Sequence, residues 1–432
     1  MKKLSYSLLA VLTLLFVAVG CSKSSGSDDA VSLLRTVPAD ASSVVLVNIA
    51  HTVESFGGST DGSSVALPDD LLKAINASEA IKPEDKQRFK EICAGETGIA
   101  MSTVAYFSAA RSYFTGLLND PDKFIAYVEK QTGSKAEEEG DAKTIGNVAV
   151  IGNQFWACVT GRPDADQLKY YGQLNEKQSY VSADASKLLL ESDKVMTYVA
   201  DVDRTISFLP NSMYMKMASS LIFNDMAYIA GSADIKKNTI SAYANILNSD
   251  MKAAELLLPV EKIDDSVLKS FGKGGDIFFA AAIPKKLTKK IKDAAGSFLG
   301  GKNNPVLGLL EAIDGTVAVR AASGLSDAEG IIQTTGKDFS NFSDVLQNYF
   351  GVTVTRNGDT LTVVRGSKDF SGYITPEQAA DMLKGAWVGC VTNGVIARNV
   401  TGVAKLSVDG KSLRLDMEAD GGVDALLNMV LR

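Results

Sequence analysis

His51 is the single histidine among 432 residues, and that count restricts the available chemistry at once. A serine or cysteine triad needs a general base, and His51 is the one imidazole that could serve. It follows the strand-like run Val44–Ala50, with Thr52 and Glu54 beside it, and no Gly-x-Ser-x-Gly elbow occurs. A lone histidine at the end of a strand reads as a surface or partly packed residue, so no catalytic residue is assigned. The same count excludes every multi-histidine metal site. Gly296–Asn303 approaches a phosphate-binding loop, but Asn303 stands where a hydroxyl should meet magnesium. The preceding Lys285–Ala295 reads as a helix rather than a strand, so the glycines serve better as its end. Asp201-Val202-Asp203 and Asp164-Ala165-Asp166 pair carboxylates without continuing into a calcium loop. A glycosidase needs only two carboxylates, and 51 acidic residues offer too many pairs to choose from. No cofactor is implied.

Pro284–Lys292 is the one strong local charge feature, with Lys285, Lys286, Lys289, Lys290 and Lys292 surrounding an apolar stripe at helical spacing. One reading is contact with anionic lipid headgroups or an acidic partner. The simpler one is the solvated face of a core-packed helix, because the second half of the chain needs the stripe. Cys93, Cys158 and Cys390 show no Cys-x-x-Cys spacing. Cys158 and Cys390 sit in apolar strand-like runs, where a free thiol behaves as a small hydrophobe, so buried thiols are expected rather than a bridge.

The elements that must position these residues read as two halves of one plan. Phe124, Gly133 and Gly140-Asp141 recur as Phe342, Gly351 and Gly358-Asp359, and Thr103-Val104-Ala105 recurs as Thr316-Val317-Ala318. Each half opens on an apolar strand, Val44–Ile49 or Ile277–Ile283, and goes on to a strand pair. The pairs are Ile99–Ala109 with Ser112–Leu118, and Thr316–Ala322 with Ala328–Thr335. Helices follow at Asp122–Gln131 and Ser340–Tyr349, and shorter ones open at Pro163-Asp164 and Thr375-Pro376. Asn357-Gly358 and Asp409-Gly410 mark hairpins between alternating runs. Hairpin-linked strands with inserted helices imply an α+β fold: two related tandem halves with largely antiparallel sheets and helices packed against them. The boundary is placed at Leu258-Pro259, giving halves at 33–258 and 259–432.

Residues 1–20 have another character. Met1-Lys2-Lys3 is basic, and Leu8–Val19 is apolar apart from Thr13, too short to span a bilayer. The run ends Val17-Ala18-Val19-Gly20-Cys21, which resembles a bacterial lipoprotein signal. That resemblance implies removal of residues 1–20 and lipidation of Cys21 with diacylglycerol and an amide-linked acyl chain, enough for stable attachment. Residues 22–29 contain no apolar side chain, so 21–32 is expected to be lipidated cysteine plus flexible tether. Asp28-Asp29 resembles the acidic surface-export signal of Bacteroidota lipoproteins but lies further from the cysteine, leaving the periplasmic and outer faces both open.

Removing residues 1–20 takes Lys2 and Lys3 from the 44 basic side chains and nothing from the 51 acidic ones, moving the formal charge from −7 to −9. Nucleic acid, whose binding rests on neutralising phosphates, is therefore not an expected partner. Leu34–Ala41, with its Pro38-Ala39-Asp40 turn running into Val44-Val45-Leu46-Val47, resembles a large uncharacterised lipoprotein family of gut Bacteroidota. No activity comes with it. The expected protein is lipid-anchored in the outer membrane through Cys21, not an enzyme, and engages an envelope protein or glycan. An envelope hydrolase acting on glycan or peptidoglycan through carboxylates is the alternative.

Overall fold

The computed structural model describes residues 26–77, 81–190, 193–207, 216, 219–236, 239–295, 312–335, 343, 346–347, 351–394, 400–409 and 411–421. Cys21, the rest of the signal, most of Ser340–Tyr349 and the Gly296–Asn303 loop lie outside these residues. Among the described residues, those up to 207 and from 227 to 242 form one unit; 216–226 and those from 243 onward form a second. The mixed α+β class holds, and every strand pairing given below is antiparallel.

The first unit contains β1 (Ser43–Asn48), the hairpin β2 (Ser59–Asp61) and β3 (Ser64–Ala66), β4 (Ile99–Ser108) and β5 (Ser112–Leu118). Then come β6 (Glu137–Glu139), β7 (Ala142–Ile145), β8 (Val148–Ile151), β9 (Gln154–Cys158) and β10 (Met196–Asp201). The chain makes β11 (Phe223–Asn224) in the second unit, β12 (Tyr228–Lys236) in the first, and β13 (Thr239–Leu247) as it crosses the division. β1 lies between β4 and β10, β12 follows β10, and β5 leads from β4 to β9 and the meander β8, β7, β6. The valine-rich β1 lies inside the sheet, where β-branched side chains pack well on a pleated surface.

The helix Pro121–Thr132 is delimited by its sequence. Asp120 caps it by accepting from the Lys123 N–H at 2.9 Å, Pro121 fills its first turn, and Gly133 ends it in the left-handed region at φ +66°. It lays Phe124 on Phe155 of β9, ring centroids 5.1 Å apart. Across the sheet, Phe107 meets Tyr171 edge-on at 5.8 Å. Phe107, Tyr113, Phe124, Phe155 and Trp156 are all fully buried. Each such ring contributes roughly 3–5 kcal/mol against truncation to alanine.

In the second unit, β14 (Glu255–Leu256) pairs with β11. The main strands are β15 (Ile277–Ile283), β16 (Ile313–Ala321), β17 (Ala328–Thr334), β18 (Thr353–Asn357), β19 (Thr360–Arg365), β20 (Ala386–Asn393), β21 (Thr401–Asp409) and β22 (Ser412–Asp420). Their order is β18, β19, β17, β16, β15, β20, β21, β22. The helices Asp265–Lys269 and Pro376–Met382 cover one face, enclosing Leu268, Phe271, Phe278, Ala318, Leu383 and Val391. Thr375 and Gln378 start the second helix with a reciprocal capping box.

Three expectations need correction. The tether does not extend to residue 32: Gly26–Leu34 is a helix that buries Ala30, Leu33 and Leu34. Its first turn carries Asp28 and Asp29, which favour the positive end of the helix dipole, and one apolar face suffices to dock it. Residues 216–226 and 243–258 belong with the second unit rather than the first, because Phe223, Ala254 and Leu256 share a buried cluster with Leu413 of β22. The expected hairpin of β18 and β19 forms, but its joint is shorter than Arg356–Asp359: Asn357 already pairs with Thr360, leaving Gly358-Asp359 as a two-residue turn. Gly358 at φ +60° occupies the first loop position, as a type II′ hairpin requires. Gly140-Asp141 makes the same turn between β6 and β7. The strands it joins sit differently, however: β19 pairs with β17, whereas β9, and not β7, lies beside β5.

Candidate functional site

Three charged constellations stand out from the folded units. The first gathers around His51. Asn48 ends β1 and caps the helix Ile49–Ser55 by accepting from the His51 N–H at 2.8 Å, which fixes the start of the turn carrying the imidazole. His51 Nε2 lies 3.6 Å from Asp234 Oδ1, and its Nδ1 lies 4.0 Å from Glu54 Oε2. Asp234, on β12, is buried and also meets Lys194 Nζ at 3.1 Å and Lys236 Nζ at 3.7 Å. Burial disfavours its charge, but the Lys194 hydrogen bond and charge, the Ile235 N–H and His51 together outweigh burial and hold the carboxyl below its usual range. Sequence reading singled out His51 and missed Asp234 and Lys194, which no motif links to it.

This cluster is chemically saturated by its own ions. A carboxylate with a folded pKa below its unfolded value contributes stability above the unfolded value, and that contribution disappears as pH falls through the folded value. Asp234→Asn should therefore be less stable than the parent at neutral pH. The gap should close as pH falls below about 4, the unfolded aspartate range. Urea midpoints for the two proteins across pH 3–7 measure it, and a gap independent of pH would refute the assignment.

The second constellation is a cleft of about 590 Å³ formed by the β6–β7 turn, the loop Arg162-Pro163-Asp164 and the first turn of the helix Ala165–Gly172. Arg162 Nη2 bonds Glu137 at 2.5 Å, Glu139 at 2.7 Å and Thr144 Oγ1 at 3.0 Å, and its carbonyl accepts from Arg111 at 2.6 Å. Lys169 Nζ lies 3.3 Å from Asp141, and Asp164 caps the helix through the Gln167 N–H. The acidic pair Asp164/Asp166 thus belongs to a helix start. Carboxylates dominate the lining, and no hydroxyl, thiol or imidazole joins them. The arrangement can hold a polar group.

The third is the lysine helix, Lys285–Ala295. Leu287 and Thr288 are buried, whereas Lys285, Lys286 and Lys289 are exposed and Lys290 is half-buried. The side chain of Lys292 lies outside those described. Asp314 accepts from the Lys285 N–H at 2.9 Å, and Lys290 Nζ reaches the Leu257 carbonyl at 2.5 Å.

The three cysteines among the described residues are free: Cys158 is buried, and Cys93 and Cys390 are half-buried. Burial pushes the Cys93 thiol up to about 11 and also raises Cys390, so neither is a ready nucleophile at neutral pH. Among the described residues, no three of His, Cys, Asp and Glu are grouped to hold a metal ion, and no helix is long and apolar enough to cross a membrane.

No family model matches the chain, and no curated protein matches it. Two solved structures, crystal forms I and III of TP0453, are 10% identical to it; each covers 81% of this chain. They are covered over 95% and 96% of their own lengths, with TM-scores of 0.26 and 0.24.

Proposed function

We propose that this chain is a lipid-anchored outer-membrane protein that works by binding or assembly rather than by catalysis. The observation that carries the reading is the run Phe16–Cys21 behind a basic start and a twelve-residue apolar core. The charged clusters support the second part of it. Arg162, Lys169 and Lys194 are each held by carboxylates of the same unit, and His51 faces Asp234 and Glu54 rather than a hydroxyl or thiol. Such groups build surfaces and fix loops. The partner is an envelope protein or glycan, held within reach because the body starts at Gly26, a few residues beyond the anchor.

Cys21→Ala tests the anchor. The variant should leave the membrane fraction and lose labelling by a lipid precursor, while the parent keeps both. Unchanged fractionation and labelling would overturn the reading. Purified residues 22–432 should also leave glycan and peptidoglycan substrates intact, and reproducible turnover would move the chain to the hydrolase class.

A further inference from the structure

We infer that the lysine helix and two leucines beside it form a second membrane contact, a face that docks onto an anionic bilayer surface. The inference rests on the proposed anchor only for the presence of a membrane nearby. At about 100° per residue, Lys285, Lys289, Lys286 and Lys290 fall in one arc of about 140° on the side opposite buried Leu287 and Thr288. In a chain with a formal charge of −7, no carboxylate among the described residues pairs with Lys285, Lys286 or Lys289. Elsewhere in the same unit Lys273 is paired with Asp369 and Lys411 with Glu255. Three adjacent ammonium groups with no ion-pair partner among the described residues leave this face locally positive, with Asp314, at the Lys285 N–H, the carboxylate at its border.

Apolar residues sit beside the Lys290 end of the arc. Lys290 donates to the Leu257 carbonyl, and the Leu257 N–H donates to the Ile222 carbonyl at 2.8 Å. That ladder places Leu257 and the Leu221-Ile222 segment at the edge of the basic face. Leu221 and Leu257 are 43% and 39% exposed, two of the few large apolar side chains so placed among the described residues. Cations with flanking leucines match the interface of a bilayer, phosphates outside and acyl chains just beneath.

The chemistry also favours a headgroup plane over a single acidic motif. All of the cations are lysines, compact point charges on flexible stems, whereas a fixed carboxylate or phosphate site selects the bidentate fork of arginine. Lysines near an anionic surface each contribute about fivefold to partitioning, so three account for a factor on the order of 100.

Sedimentation with vesicles tests the proposal, using residues 22–432, which contain every described element. The chain should bind phosphatidylglycerol-containing vesicles and not purely phosphatidylcholine ones, and binding should weaken as salt rises. The triple variant Lys285→Gln, Lys286→Gln, Lys289→Gln should lose binding by a factor on the order of 100. A control with the same charge change at exposed Lys123, Lys177 and Lys262 should keep it. Leu221→Ser with Leu257→Ser should weaken binding at every salt concentration, which also tests the face without removing charge. Equal binding by the triple and control variants, or no preference for anionic lipid in the parent, would overturn the proposal. Retention on polyglutamate without vesicle binding would do the same, assigning the face to an acidic polypeptide. Because the anchor is absent from this protein, a negative result leaves the Cys21 reading intact.

Discussion

Arg320→Ala should destabilise the second unit by about 3–5 kcal/mol, the cost of breaking a buried ion pair from one side. Arg320 is 2% exposed, and every arm of its guanidinium is used. Nε and Nη2 hold Glu329 Oε2 at 2.8 and 2.7 Å, Nη1 donates to the Gly274 and Phe370 carbonyls, and Nη2 also donates to the Lys368 carbonyl. The Phe370 ring covers the cation at 4.2 Å. One side chain on β16 therefore joins β17, the segment before β15 and the segment after β19. Alanine removes the hub, leaves the Glu329 carboxylate without its cation and strips three carbonyls of a donor. Lysine should rescue little, since its ammonium cannot reproduce a planar fork. Urea unfolding of the parent, Arg320→Ala and Arg320→Lys measures the effect. A loss below about 0.5 kcal/mol for alanine, the size of an ordinary surface change, would show that the hub is not structural.

Gly98→Ala should cost the first unit about 2–5 kcal/mol, for two separable reasons. Gly98 has φ +71°, which an L residue adopts at a cost of roughly 1–2 kcal/mol. A Cβ there would also sit 2.4 Å from the Asp120 carbonyl oxygen and 3.2 Å from the Phe124 nitrogen, backbone atoms that cannot rotate away. Relieving such overpacking costs roughly 1–3 kcal/mol more. The Gly98 carbonyl meanwhile accepts from Asn119 and Asp120, so the displaced backbone is the one that launches the helix Pro121–Thr132. Gly133→Ala supplies the comparison: φ is +66°, but nothing lies within 4 Å of its added carbon. It should lose the conformational part alone. Thermal melts of both variants decide the matter, and equal shifts would show that the steric contribution is absent.

These two positions illustrate what a chain discloses before it is folded. Local signals were plain: β5, β15, β19 and the lysine helix occur where their periodicity places them, and Asp120-Pro121 and Thr375-Pro376 begin helices as their capping chemistry dictates. Long-range electrostatics was invisible. Asp234 is a single acid in a strand, and its partners Lys194 and His51 come from other elements far away along the chain. Arg320 is likewise one arginine among small residues, and its role depends on three segments that only the sheet brings together. The helix Gly26–Leu34 hides in a polar stretch, because three buried side chains, Ala30, Leu33 and Leu34, are enough to dock it. The cleft at Arg162 depends on a turn and a helix start folding toward each other, and no spacing rule encodes that.

The outermost strand of the first unit's meander, β6, is three consecutive glutamates, all exposed, and Arg162 occupies two of them. A strand at the border of a sheet has spare backbone donors and acceptors that invite a second molecule to extend the ladder. Here an approaching copy would bring its own acidic triplet against the first, and like charges facing each other across a ladder repel. Such a triplet disfavours edge-to-edge pairing of two copies, and threonine in its place would lift that repulsion while releasing Arg162 from Glu137 and Glu139.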